Sequence, residues 1–297
     1  MFFNDAWHFI CNGFDANAVQ YIGHEVFTIM LRINLDQSTY NHAHSELVRE
    51  LNSSISSAIS NKFSSTSLEQ LNQMALDNRV DSKYVLPQKI LANILEYLSN
   101  DYSILTVDDE NIFTYENTYF DTADRYFYQS HHNGKLNRQK LRLRRYKESD
   151  LCVLETKLKT NKSRTIKQRI PINQYEQKGI INFINEHILS TKDSLLPKLF
   201  NNYRRMTFVH RQKDEKVTID FNLGFENPDN GWQYHIENYF IVEVKTKAKV
   251  HCSEFALYCK KNSLRRKRFS KYCMGTCLTN NNEFKKNNFK KKLSLFR

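Results

Sequence analysis

Residues 140–146 read KLRLRRY. On a strand of period two, Lys140, Arg142 and Arg144 share one face while Leu141 and Leu143 take the other. One such strand is explained by a solvated surface. The pattern returns, however. In VLETKLK (153–159), Glu155, Lys157 and Lys159 oppose Leu154, Thr156 and Leu158. In IKQRI (166–170), Lys167 and Arg169 oppose Ile166, Gln168 and Ile170; in VTIDFN (217–222), Thr218, Asp220 and Asn222 oppose Val217, Ile219 and Phe221. In VEVKTK (242–247), Glu243, Lys245 and Lys247 oppose Val242, Val244 and Thr246. Hydrogen-bonded together, these strands make a sheet with one strongly ionic face, which must stay wet or meet an anion.

The charge of the 297-residue chain, net +12, is unevenly distributed. Residues 1–78 hold three Lys or Arg against eight Asp or Glu, residues 131–169 thirteen against three, and residues 260–297 thirteen against one. Such a balance favours a polyanionic partner. With 40% apolar and 13% aromatic residues the composition suits a globular core. No apolar run reaches the roughly 18 residues needed to cross a bilayer, and MFFNDAWHFICNGF lacks the basic start and apolar stretch of a secretion signal. Six cysteines without CxxC spacing read as reduced cytosolic thiols. The expectation is therefore a cytoplasmic protein, at most peripheral to the inner face of a membrane.

Three regions follow. Residues 1–78, with the Ser/Asn-rich stretch NSSISSAISNKFSSTS, read as an N-terminal extension, part linker and part helix near Leu68, Leu71 and Leu76; His42 and His44 read as a surface pair. Residues 79–278 form the body, with helices expected at 86–99, 173–189 and 253–262, the last capped by Ser253. Residues 279–297, rich in Asn and Lys, read as a disordered basic tail. Many amphipathic strands with few helices give an α+β architecture around an antiparallel sheet. If the sheet closes with its greasy face outward, the result is an inside-out barrel, a wet tunnel lined by Lys, Arg and a few carboxylates.

The ordered series DSKYVL, YFDT, KLRLRRY, LETKLK, KQRI, YRR, VTIDFN, VEVKTK and FSKYCMG, over about residues 79–277, resembles the polyphosphate polymerase domain of the vacuolar transporter chaperone (VTC) type, within the triphosphate tunnel metalloenzyme (CYTH-like) superfamily. The resemblance implies an antiparallel eight-stranded β-barrel tunnel with a charged interior and helices packed outside. It also implies Mn²⁺ or Mg²⁺, and transfer of the terminal phosphate of ATP onto a polyphosphate chain. Under it, Lys83, Arg142, Arg144, Lys157, Lys167, Arg205 and Lys271 would bind phosphate. Arg205 is chosen over Arg204 because it shares a face with Tyr203. Glu243, Glu155 and Asp81 would hold metal, Asp81 standing where the family has a glutamate. Lys140, Asp220 and Lys245 complete the candidates for the tunnel face. Tyr119, Asp121, Tyr146 and Tyr272 match family positions that serve structure equally well.

The chemistry is coherent without the resemblance. A triphosphate carries about four negative charges, which opposed rows of cations can hold. Phosphoryl transfer asks mainly for alignment and charge neutralisation. Carboxylates among those cations would be poor neighbours for phosphate unless a hard divalent ion lay between them. Three readings stay open: a polyphosphate polymerase, a triphosphatase in which water is the acceptor, and a non-catalytic binding module for polyphosphate or nucleotide. Specific nucleic-acid binding is disfavoured, since aromatics do not interleave with the basic strands. Export of a polymer would need a separate membrane protein. In so crowded a cationic site, Arg142→Ala is expected to leave the empty fold as stable as before, or slightly more so.

Overall fold

A computed structural model describes residues 55, 59, 62–74, 79–162, 164–172, 177–188, 193–247, 253–280 and 284–296. Its strands are β1 (Ser65–Thr66), β2 (Val80–Pro87), β3 (Tyr102–Leu105), β4 (Phe113–Asp121), β5 (Arg138–Tyr146), β6 (Leu151–Lys159), β7 (Thr165–Pro171), β8 (Leu196–His210), β9 (Glu215–Glu226), β10 (Gln233–Ile236) and β11 (Tyr239–Thr246). The helices are α1 (Leu68–Gln73), α2 (Leu91–Asp101), α3 (Tyr126–His132), α4 (Gln177–His187), α5 (Glu254–Lys261), α6 (Lys271–Leu278) and α7 (Lys290–Leu293).

Eight strands form the main path, in the order β2-β11-β9-β8-β4-β5-β6-β7, with antiparallel pairing throughout. This is the α+β, eight-stranded antiparallel sheet that the alternation requires. The ring of hydrogen bonds is incomplete: no ladder joins β2 to β7 among the described residues. The sheet nevertheless curls. The ammonium of Lys157 on β6 feels the charges of Lys83 and Asp81 on β2, strands near opposite ends of the path.

One half of the outer face is buried under α2 and α5. Leu91, Ile94, Leu95 and Leu98 fall at the i, i+3, i+4, i+7 spacing of a single helical stripe and share a core with Val217, Ile219, Phe221, Val242 and Val244. The body's helix expected at 86–99 begins later. Leu86 precedes a proline, which biases it to extended backbone, and β2 continues to Pro87, paired with Tyr239, before a 3₁₀ turn at Gln88–Ile90 leads into α2. The helix expected at 173–189 is described as α4, residues 173–176 and 189 lying outside the described set. Ser253 caps α5 as expected, its hydroxyl accepting the Ala256 N–H at 3.1 Å.

Two regions are more ordered than their composition suggests. Ile55 and Ile59 are buried, Phe63 packs against Phe208, and β1 pairs parallel with β3. Ser67 and Gln70 form a reciprocal capping box on α1. His42 and His44 lie outside the described residues. The basic tail, expected to be disordered, is folded over 284–296: Phe289 and Leu293 are buried, and Phe296 packs on Tyr239 and Phe269. Its apolar residues recur among the lysines, which net charge hides.

Helix α6 departs from the expectation that all helices pack outside. β9 carries a bulge at Asn222, whose φ is +50°, and the β8–β9 register shifts there. Before the bulge Lys216, Thr218 and Asp220 point inward; after it Leu223 and Phe225 do. That apolar half needs a cover, and α6 supplies it from the inner side. A Cβ on Gly275 would lie 2.4 Å from the Phe225 ring and 2.6 Å from Leu199, so only glycine permits the approach.

Candidate functional site

Register places the charged residues on one inner face. Lys83 sits opposite Glu243, and Asp81 opposite Lys245. Lys245 also faces Lys216, and Arg205 faces Asp220. Across β5, β6 and β7, Lys140 aligns with Lys157 and Lys167, and Arg142 with Glu155 and Arg169. Arg205, not Arg204, points inward. Lys271 comes from the first turn of α6 and reaches the same face. All thirteen residues singled out in the sequence therefore share this surface, where cations outnumber the four acids Asp81, Glu155, Asp220 and Glu243 by more than two to one. Lys216, one residue before the quoted VTIDFN, was missed; extending the alternation backward by one step finds it. Arg169 belongs to the face too.

The acids are not equivalent. Glu155 is 2% exposed, and Arg142 donates to its Oε2 at 2.6 Å from Nε while Lys167 pairs with Oε1. Asp220, also 2% exposed, takes both forks of Arg205 at 2.6 and 2.9 Å and pairs with Lys271. Each buried acid thus braces one arginine and one lysine. Burial alone would raise both carboxyls, but Arg142, Arg144 and Lys167 hold Glu155 well below the usual range, and Arg205 and Lys271 do so for Asp220. Glu243 is held more loosely, with Lys83 at 3.3 Å and Lys245 at 3.8 Å and its side chain 14% exposed. Its carboxyl too lies far below its ordinary value, the cations outweighing burial.

Arg144 is fixed by neutral groups. Its Nε donates to Asn117 Oδ1 at 3.0 Å, its Nη2 to Tyr203 Oη at 3.1 Å, and its plane lies 5.0 Å from the Tyr115 ring centroid. Asp121, by contrast, is structural: it accepts the Phe127 and Tyr128 N–H groups at the start of α3 and the Tyr272 hydroxyl.

Among the described residues no three carboxylates, imidazoles or thiols gather into a metal cage. Glu155, expected beside metal, is instead committed to Arg142 and Lys167. The loosely paired Glu243, near Asp81, fits an ion held by one or two carboxylates with the remaining positions filled by water and phosphate oxygens.

Crowding also depresses lysines. Burial, then Lys83, pushes Lys157 down to about 8; burial does the same to Lys167 and Lys271, each despite an acid partner, and burial with Lys245 does it to Lys216. Lys157 keeps solvent access even so, as expected on the wall of a wet cavity. Tripolyphosphate affinity should therefore fall as pH rises through about 8, and binding near pH 8 should take up protons, measurable by calorimetry in buffers of different ionisation enthalpy. The free protein responds oppositely. With folded values near 8 against an ordinary 10.5, the unfolded chain holds more protons in that window, so these groups make the free fold more stable as pH rises from about 8 to 10.5. An affinity flat across pH 7 to 10 would contradict the arrangement.

A family model described as VTC domain matches residues 78–280. Among solved structures, the chain is similar to a proposed adenylate cyclase from Bacillus halodurans, with 10% identity over 65% of this chain and 95% of that one and a TM-score of 0.43. It is also similar to a proposed adenylyl cyclase from Hippeastrum, described as revealing a dominant triphosphatase activity, with 14% identity over 69% and 98% and a TM-score of 0.43. No curated protein matches.

Proposed function

The chain belongs to the VTC domain family, and from that premise we propose that its inner face holds a triphosphate and that the protein transfers the terminal phosphate of ATP onto a polyphosphate chain. The observation that carries the reading is the excess of cations over acids on one curled face, with Glu155 and Asp220 spent on orienting Arg142 and Arg205. A resting protein gains nothing from so much like charge in one place; a polyanion turns the repulsion into binding.

In this reading Arg142, Arg144 and Arg205 grip phosphate oxygens through their forks, while Lys83, Lys140, Lys157, Lys167, Lys245 and Lys271 supply point charge. A terminal oxygen of the acceptor chain attacks the γ-phosphorus as the bond to the bridging oxygen breaks, and ADP leaves with that oxygen. The cations balance charge on the transferring group and the leaving group. Asp81 and Glu243 would hold a Mg²⁺ or Mn²⁺ ion, which when bound would neutralise phosphate oxygens and help align donor with acceptor.

Incubating the protein with ATP and Mn²⁺ should yield a ladder of long phosphate chains on a gel together with ADP. Free phosphate without chains would instead identify a triphosphatase, with water as the acceptor. Binding of ATP or polyphosphate without either product would identify a non-catalytic module. No helix among the described residues is long and apolar enough to cross a membrane; the reading leaves export of the product to a separate membrane protein.

A further inference from the structure

The interruption between β2 and β7 has an occupant on one side. The irregular run LRRKRFS, 264–270, lies along the free edge of β2, the Lys267 N–H donating to the Lys83 carbonyl at 2.8 Å. Two anchors hold its end: Phe269 is buried, and the Ser270 hydroxyl caps α6 and accepts from Lys140 Nζ at 2.7 Å. Arg265, Arg266 and Arg268 are exposed, and none has an ion-pair partner among the described residues. Residues 266–269 and 81–83 line a cleft of about 560 Å³. At the other edge of the sheet, β7 is exposed over 165–169 and carries Lys167 and Arg169 on its inward face.

We propose that this seam is a lateral groove for linear polyphosphate, holding the part of the chain that extends beyond the phosphates gripped inside. It rests on the tunnel reading above and adds a preference for long chains. Continuity supports it, because Lys83 belongs to both the inner face and the cleft. The chemistry of the run supports it as well. Guanidinium forks match phosphate oxygens, and the run offers no exposed aromatic to stack a base and no exposed large apolar side chain to enter a lipid interface; on β7 the exposed Ile166 lies on the face opposite Lys167 and Arg169. An anion with charge at every unit and no bases fits those constraints better than nucleic acid or membrane.

The test compares the wild-type chain with the double variant R266Q/R268Q, at exposed positions without an ion-pair partner among the described residues. Calorimetry would follow inorganic tripolyphosphate and long-chain polyphosphate over a range of salt concentrations. The groove predicts that the variant binds tripolyphosphate like wild type but loses roughly tenfold in affinity for the long chain, with a salt slope shallower by about 1.5, as for two lost phosphate contacts. An unchanged affinity for the long chain overturns the groove. So does an equal loss for both anions, which would make the arginines part of the general field. Failure of wild type to bind either anion would sink the tunnel reading and the groove with it. If the arginines prove necessary only for sedimentation with equimolar phosphatidylcholine and phosphatidylserine vesicles, the seam is a membrane contact and the proposal is wrong.

Discussion

Replacing Glu243 by glutamine is expected to lower turnover by at least about a hundredfold while leaving triphosphate binding intact or slightly tighter. The glutamine keeps the volume and removes one charge. Unlike the buried Glu155 and Asp220, the half-buried Glu243 is not locked into a close bidentate or twofold pairing, since its contacts to Lys83 and Lys245 are 3.3 and 3.8 Å. In the proposed reading its loss frees two lysines for phosphate, which favours binding, but removes a carboxylate that would hold a divalent ion, which costs turnover. Binding by calorimetry and turnover at saturating Mn²⁺ separate the two. Unchanged turnover would reduce Glu243 to an ion-pair partner.

The second large effect is on stability. Arg142→Ala should lower tripolyphosphate affinity by about 1.5 to 3 kcal/mol, the range for hydrogen bonds to charged groups. It should also destabilise the empty fold by about 2 to 4 kcal/mol, contrary to the expectation drawn from charge crowding alone. The reason is Glu155. At 2% exposure it cannot recover its lost partner from water, and a buried carboxylate stripped of its closest cation is costly even with Lys167 and Arg144 nearby. Adding Glu155→Gln to Arg142→Ala should therefore recover part of the melting temperature without restoring affinity. If Arg142→Ala melts like wild type, the Arg142–Glu155 pair does not hold the sheet.

Alternation made the inner face legible. Period two separates Arg205 from Arg204 and puts Lys140, Arg142 and Arg144 on one side, because strand geometry leaves no other choice once the opposite side must be buried. The partners on that face were harder to read. An acid and a lysine two residues apart on one strand look paired, but a residue directly opposite on the next strand lies closer: Glu155 meets Arg142 across on β5 and, diagonally on β7, Lys167 rather than Lys157, whereas Glu243 does reach Lys245, at 3.8 Å. Helix α6 was invisible as a helix because Tyr272–Cys277 are buried on every side, which erases the stripe that betrays a surface helix. The bulge at Asn222 left no pattern of its own, yet it decides which half of β9 is polar inside. The tail was misread because its lysines dominate its composition while Phe289, Leu293 and Phe296 decide its fate.

That bulge sets a floor. Along β9 the inner surface is ionic up to Asp220 and oily from Leu223 onward, so an anion sliding in from the ionic end would have to shed its hydration against Phe225 and α6 to go further, with nothing there to replace the lost water. For a polyphosphate bound as proposed, the oily half would therefore act as a depth stop. Whatever the length of the chain outside, its end would come to rest beside Arg205 and Lys271 on Asp220, and a short chain and a long one would present the same terminal phosphate to the same side chains. One extra residue in a single strand would thereby fix which atom of such a polymer meets them.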